Sequence, residues 1–366
     1  MSDNGTAIER GRRDLANWQA SIPDNYFTSD GALQRSLQRL WGREKYVSLE
    51  ADLSEFGRIC GQELDPLIRD MEYRGNMPRL ERYDGVGQRV ERIVYDGSYD
   101  AVGRLIYGSG AMALMNQPGS MLHSWLYLLQ SNKNGEAGHN CPMVCTAGVV
   151  RCLSHAGDEA LKERYLPGLT NPDWDNNFTG AQFMTEVQGG SDVGANATTA
   201  TLVDADKGLW EIHGEKWFCS NASAELMLMT ARIENGVDGT RGLGLFLVPR
   251  YLDDGSVNHF AIRQLKEKLG TRAMASGEFD FNGALAWHMG PVGDGFKTMM
   301  NHVINVSRLS NAGGVLAMAW RAMVTAWHYA QNRRAFGGAI ANYPLVQEHL
   351  VQMRSEYTLL LNSSMD

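Results

Sequence analysis

A chain of 366 residues with 42 acidic and 34 basic side chains carries a formal charge of -8, which argues against a general nucleic-acid or anionic-membrane surface and leaves phosphate-bearing small ligands open. At about 100–200 residues per domain, the length predicts two or three domains. No stretch reaches the roughly 20 apolar residues of a membrane span, and residues 1–19 lack the apolar segment of a signal peptide, so the expected location is cytoplasmic.

Leu33, Leu37 and Leu40 recur at helical spacing behind a cap near Asp30, and the pattern resumes from Tyr46 to Tyr73 with a break expected near Pro66. Further helices are predicted over Tyr99–Met115, Met121–Gln130, Pro142–His155 and Glu159–Tyr165, the last capped by Asp158 and stopped by Pro167-Gly168. The first part therefore reads as an all-α layer, residues 1–177, ending in a polar linker at 171–177. Five cysteines (Cys60, Cys141, Cys145, Cys152 and Cys219) without a Cys-x-x-Cys pair fit reduced thiols. A zinc site from His139, Cys141, Cys145 and Cys152 is disfavoured, because structural zinc uses paired spacings and buried helix faces favour small residues; no metal is expected.

From Phe178 the period changes to two. Leu226–Thr230, Gly244–Val248 and Phe279–Phe281 are strand candidates, with a hairpin signal at 204–208, and the spacing predicts a small antiparallel barrel or sandwich over 178–294. Beyond it, 297–331 and 344–361 read as two long helices of a domain at 295–366. Two helices cannot cover their apolar faces alone, so further helices are expected as partners. The expected class is α+β: a helical domain, a β domain, then part of a helical bundle.

Within the β domain, Met184-Thr185-Glu186-Val187-Gln188-Gly189-Gly190-Ser191-Asp192 offers glycines that bring backbone amides close to an anion, or an ordinary tight turn. Gly214-Glu215-Lys216-Trp217-Phe218-Cys219-Ser220-Asn221 puts two aromatics on a strand that also suits a sheet core. At their joint spacing, the two segments resemble the middle-domain signature of the acyl-CoA dehydrogenase family of flavoproteins. Lys266-x-Lys268-Leu269-Gly270-x-Arg272 and Arg333-Arg334-Ala335-Phe336-Gly337 agree with it, and the resemblance spans roughly 157–351.

The resemblance implies an FAD-dependent enzyme that dehydrogenates an acyl-CoA thioester and passes electrons to an electron-transfer flavoprotein. It places Gln182, Met184 and Thr185 at the flavin edge, Gly190 and Ser191 near the phosphates, Ser191 also toward the substrate, Phe218 on the ring and Ser220 toward N5 or O4. Arg333 and Phe336 would reach the FAD of a neighbouring subunit, hence an oligomer, while Asn305 and Arg308 would approach coenzyme A. In Arg333-Arg334 a solvated helix end is the rival reading, and for Arg308 a snorkelling side chain. Pro344 stands where most members have glutamine.

No catalytic base can be assigned. Between Asp294 and Glu348 there is no Asp or Glu; one branch of the family carries its glutamate at the position of Ser307, the other between the last two bundle helices. The expectation is that a second chain, or a further part of the same protein, completes the bundle and supplies the base. Two rivals remain: a flavin protein associated with nucleic acid, like the family's alkylation-response relatives, and a structural subunit.

Overall fold

The computed structural model describes residues 6–365. In chain order come helices α1 (Ala7–Ser21), α2 (Gly31–Arg58) and α3 (Asp65–Met71), strands β1 (Arg79–Tyr83) and β2 (Arg89–Val94), and helices α4 (Gly97–Tyr107), α5 (Ala111–Met115), α6 (Met121–Asn132), α7 (Asn140–Ala156) and α8 (Glu159–Leu169). Strands β3 (Gly180–Phe183), β4 (Thr199–Asp204), β5 (Leu209–Ser220), β6 (Leu226–Ile233), β7 (Leu243–Pro249), β8 (Phe260–Leu265) and β9 (Ser276–His288) follow. The chain ends with α9 (Gly295–Met299), α10 (Asn305–Asn332), the short strands β10 (Arg334–Ala335) and β11 (Gly338–Ala339), and α11 (Pro344–Met365). It divides into two compact units, one of residues 6–66, 126–135 and 311–365, the other of 67–125 and 136–310.

Several expectations need correction. The first part is not all-α, since β1 and β2 pair as an antiparallel hairpin; the charged run Arg79–Arg92 hid them, because their outward faces are polar. Helix α1 begins early because Thr6 and Glu9 form a capping box. Pro66 does not break its helix: it lies in the first turn of α3, where its missing N–H costs little, behind a π-helical stretch Ile59–Leu64. Gly110, at φ +74, separates α4 from α5 inside the run read as one helix. Pro167 does not stop α8, which continues to Leu169.

The central sheet is mixed, with parallel pairings of β6 to β3 and β4, where an antiparallel barrel or sandwich was expected. Strand β6 pairs parallel with β3 and β4 and antiparallel with β7; β5 pairs with β4 and β9, and β9 also with β8 and β7. The β4–β6 and β7–β9 seams are only two residue pairs long each. The 204–208 turn does join β4 to β5, pairing Asp204 with Leu209.

The continuous apolar run of β6 and β7 follows from burial on both faces. Met227, Met229, Phe246 and Val248 pack on one side with Phe183, Ile212, Phe279 and Phe281. Leu226, Leu228, Leu245 and Leu247 pack on the other with Val149 and Leu153 of α7, Leu161 and Tyr165 of α8, and Met299 and Val303. This two-sided clamp fixes β3 and the loop after it against α7.

The other unit is built around charge as well as apolar packing. Lys133 Nζ, fully buried, donates to Asp30 Oδ2 at 2.7 Å and to the Tyr26 carbonyl, and lies 4.2 Å from the Trp320 ring centre. Tyr357 Oη of α11 donates to the same Asp30 oxygen at 2.5 Å, so α11 is anchored by a satisfied buried network.

Candidate functional site

The loop after β3 and the end of β5 are held together by one ion pair. Lys216 on β5 is completely buried and donates to Glu186 Oε1 at 2.8 Å, while Glu186 retains 2% of its side-chain exposure. Lys216 also donates to the Met184 carbonyl at 3.3 Å and to Asn196 Oδ1 at 3.4 Å. Glu186 accepts further bonds from the Ala197 and Thr198 amides and from Gln188 Nε2. Burial works against ionisation of Glu186, but the Lys216 ammonium and the amide donors outweigh it and hold the carboxyl at about 2. The backbone joins in, since the Trp217 amide donates to the Thr185 carbonyl at 2.9 Å.

The loop itself is tight. Gly189, at φ +139, and Glu186 exchange backbone hydrogen bonds, and a Cβ on Gly190 would lie 2.5 Å from Thr185 Oγ1. Glycine is therefore required by the approach of Thr185. Among the described residues, the amides of Gly190 and Ser191 have no hydrogen-bond partner within the protein.

Strand β5 is paired with β9 at Lys216↔Phe279 and again at Cys219↔Gly277, so it carries one extra residue between them. The bulge frees Phe218, a residue that is 53% exposed. Lys266 Nζ lies 3.6 Å from the Trp217 ring centre and 4.4 Å from that of Phe218, and is itself paired with Glu278 at 2.6 Å. Beyond Ser220, Asn221 adopts φ +57 and its buried Nδ2 donates to Thr179 Oγ1 and the Gly180 carbonyl, tying the end of β5 to β3.

Gln182 on β3 points its amide toward the start of α10, where Ser307 Oγ lies 3.3 Å away, and toward the carbonyls of Val144 and Cys145 on α7. Ser307 therefore stands within the same cluster as Gln182. Asn305 and Arg308, one helical turn apart, are exposed and bond each other at 3.4 Å.

The structure thus brings Gln182, Met184, Thr185, Gly190, Phe218 and Ser220 together in one unit, with Ser191 on the exposed loop. Arg333 and Phe336 belong to the other unit. Phe336 occupies the tip of the β10–β11 hairpin at φ +50, 98% exposed, with Tyr343 Oη donating to the Ala335 and Phe336 carbonyls. Among the described residues, no cluster of His, Cys, Asp or Glu could hold a metal ion. His139 points Nε2 at the Tyr99 carbonyl, and Cys152 is enclosed by Val149 and Leu153.

Sequence reasoning missed the Glu186–Lys216 pair and the cation of Lys266. A signal existed for the first: a lysine inside an apolar strand has to find an anion, and the only acidic residue among Met184–Ser191 is Glu186.

Three family descriptions match the chain in succession: the adaptive response protein AidB N-terminal domain over 19–176, the acyl-CoA dehydrogenase middle domain over 181–284 and the acyl-CoA dehydrogenase C-terminal domain over 293–365. The chain belongs to the acyl-CoA dehydrogenase family. It is 30% identical to acyl-CoA dehydrogenase family member 11 of Caenorhabditis elegans over 341 residues, which is 90% of this chain and 54% of that protein. It is 27% identical to the putative acyl-CoA dehydrogenase AidB of Escherichia coli (strain K12), over 90% of this chain and 60% of that one. The chain therefore spans a little over half the length of these relatives. Among solved structures, that of C. elegans ACDH-11 in complex with C11-CoA matches with a TM-score of 0.83 at 29% identity, covering 93% of this chain and 59% of the other. The structure described as Bd2924 apo-form matches with a TM-score of 0.87 at 29% identity, covering 93% and 68%. Members of this acyl-CoA dehydrogenase family are FAD-dependent flavoproteins, and no described helix is long and apolar enough to cross a membrane.

Proposed function

We propose that the chain binds FAD at the junction of the β3 loop and the β5 bulge and takes part in the α,β-dehydrogenation of an acyl-CoA thioester. The observation that carries this reading is the open Phe218 ring beside a loop whose Gly190 and Ser191 amides lack partners. A flat aromatic next to free amide donors fits a ligand that is planar at one end and anionic at the other. When bound, FAD supplies the acceptor for a hydride from the acyl chain.

The chain's own residues have distinct tasks in this reading. Phe218 packs on the planar ring, the Ser220 hydroxyl donates toward N5 or O4, and Gln182, Met184 and Thr185 line the edge. Gly190 and Ser191 donate to phosphate oxygens. The exposed pair Asn305 and Arg308 faces coenzyme A, and the exposed Phe336, with Arg333, meets the FAD of a second copy. In domain terms this divides the chain into a helical part at 1–177, a flavin-binding part at 178–294 and a bundle part at 295–366. Glu186 is excluded as the base, because its charge is committed to Lys216. No residue of this chain is assigned as the base, and electrons leave to an electron-transfer flavoprotein.

The C11-CoA complex of the C. elegans relative supports an acyl-CoA substrate. Association with nucleic acid is not favoured, given the net charge of -8. The test is to purify the chain, record its visible spectrum, and add acyl-CoA thioesters of graded length anaerobically. Bound flavin absorption that bleaches with substrate, alone or once a co-purifying partner is present, is the expected result. A colourless protein that takes up no FAD overturns the reading.

A further inference from the structure

The unit of residues 6–66, 126–135 and 311–365 contains a cavity of 320 Å³ where α2, α10 and α11 meet, and none of its residues is assigned to flavin or acyl-CoA. Trp320, Met323, Val324 and Trp327 recur at the three- and four-residue spacing that puts them on one face of α10, and all four line it. One wall is therefore apolar and largely aromatic. Trp320 is buried, whereas Trp327 is half-buried and offers ring surface to a visitor.

The polar groups of the cavity divide into those already satisfied and those left over. Asp30 and Tyr357 belong to the first kind, because Asp30 accepts from the Leu33 amide through Oδ1 and from Lys133 and Tyr357 through Oδ2. Asp30 is the only acid in the lining, and Lys133 balances its charge. Arg35 of α2 and Arg354 of α11 belong to the second kind. Both are exposed at the rim, and among the described residues neither guanidinium has a hydrogen bond or an ion pair. Arg35 folds back over its own first turn, where a Cβ on Gly31 would lie 3.2 Å from Arg35 Nη1. The bare glycine leaves the fork room beside the cavity. His328 adds an enclosed Nδ1 with no partner among the described residues, on an imidazole that burial keeps toward its neutral form.

Two uncompensated positive charges thus stand together beside an aromatic wall, in a chain whose net charge is -8. A guanidinium fork accepts a carboxylate through two parallel hydrogen bonds, and an indole face accepts a flat apolar body. Ligand cavities run from about 300 to 1,000 Å³, so this one suits a body of only one or two rings.

We propose that the cavity between α2, α10 and α11 binds a small aromatic carboxylate, its ring against Trp327, Met323 and Val324 and its carboxylate between Arg35 and Arg354. The satisfied Asp30–Lys133–Tyr357 network forms a rigid neutral floor that neither repels the anion nor competes for the arginines. Binding here does not depend on FAD.

The test titrates the purified chain with 2-naphthoate in a calorimeter and repeats the titration with 2-naphthamide, its uncharged counterpart. One naphthoate per chain is expected, with the amide about tenfold weaker. Arg35→Gln and Arg354→Gln should each weaken naphthoate severalfold, and Trp327→Ala should weaken naphthoate and naphthamide alike, all at unchanged circular dichroism. The two arginines are exposed, so their replacement leaves the fold intact. Phe218→Ala, in the other unit, should leave naphthoate binding unchanged. Absence of saturable binding, equal affinity for naphthoate and naphthamide, or naphthoate binding that survives the double variant Arg35→Gln/Arg354→Gln overturns the proposal.

Discussion

The Lys216 ammonium and the Glu186 carboxylate meet at 2.8 Å in a place almost closed to water. Removing one partner strands the other. Lys216→Met is expected to destabilise the chain by about 3–5 kcal/mol in urea unfolding, and the double variant Glu186→Gln/Lys216→Met by clearly less. Because the folded carboxyl is held at about 2, below its ordinary 4.5, its contribution is complete above pH 4.5 and is lost as pH falls toward 2. A double variant as unstable as Lys216→Met would show that the pair itself is not the cause.

Glu136 predicts the opposite slope. Burial pushes its carboxyl up to about 7, against the His139 and Asn140 amides that it accepts from. The native state keeps a proton that the unfolded chain has released, so stability falls as pH rises from about 4.5 to about 7. His139, which burial lowers to about 3, adds a rising slope between about 3 and 6.5, so the informative quantity is the difference between two proteins. Glu136→Gln should gain stability relative to wild type between pH 5 and 7, measured as the shift in urea midpoint. A pH-independent difference would contradict the assignment.

Phe218→Ala should raise the FAD dissociation constant about 5- to 150-fold, the loss of about 1–3 kcal/mol of stacking. Fluorescence titration gives the value. An unchanged affinity would remove Phe218 from the flavin site.

Phe336 occupies a left-handed backbone position in a two-residue turn, a conformation that costs a non-glycine residue about 1–2 kcal/mol. Phe336→Gly should therefore unfold at higher urea concentration than wild type. If the exposed ring serves an FAD on a second copy, the same variant should retain less flavin after gel filtration. Greater stability with full flavin retention would leave the ring without that role.

Most helices and the turn between β4 and β5 were legible in the sequence because their signals are local. Asp158 caps α8 through the Leu161 amide as its position suggested, and the 204–208 turn joins β4 to β5. The parallel pairing of β3 with β6 was not, since it joins residues more than forty positions apart and leaves no local pattern. The hairpin β1–β2 was hidden because Arg92 and Glu81 pair across its surface and mask the strand period. At the candidate site, sequence reasoning gave no indication of the contacts that hold the segments in place. The Glu186–Lys216 pair, the Lys266 cation over two rings and the Gln182–Ser307 contact all depend on tertiary packing.

The one-residue bulge between Lys216 and Cys219 makes the open aromatic a matter of counting. Side chains on a strand alternate between faces, so the extra residue sets which face Phe218 presents. Deleting Trp217 would restore even pairing, with Lys216 and Cys219 still opposite Phe279 and Gly277, and would leave one side chain between them where the bulge now holds two. The exposed ring is therefore protected less by its own identity than by the length of the segment that carries it, and this stretch should accept substitutions more readily than a single insertion or deletion.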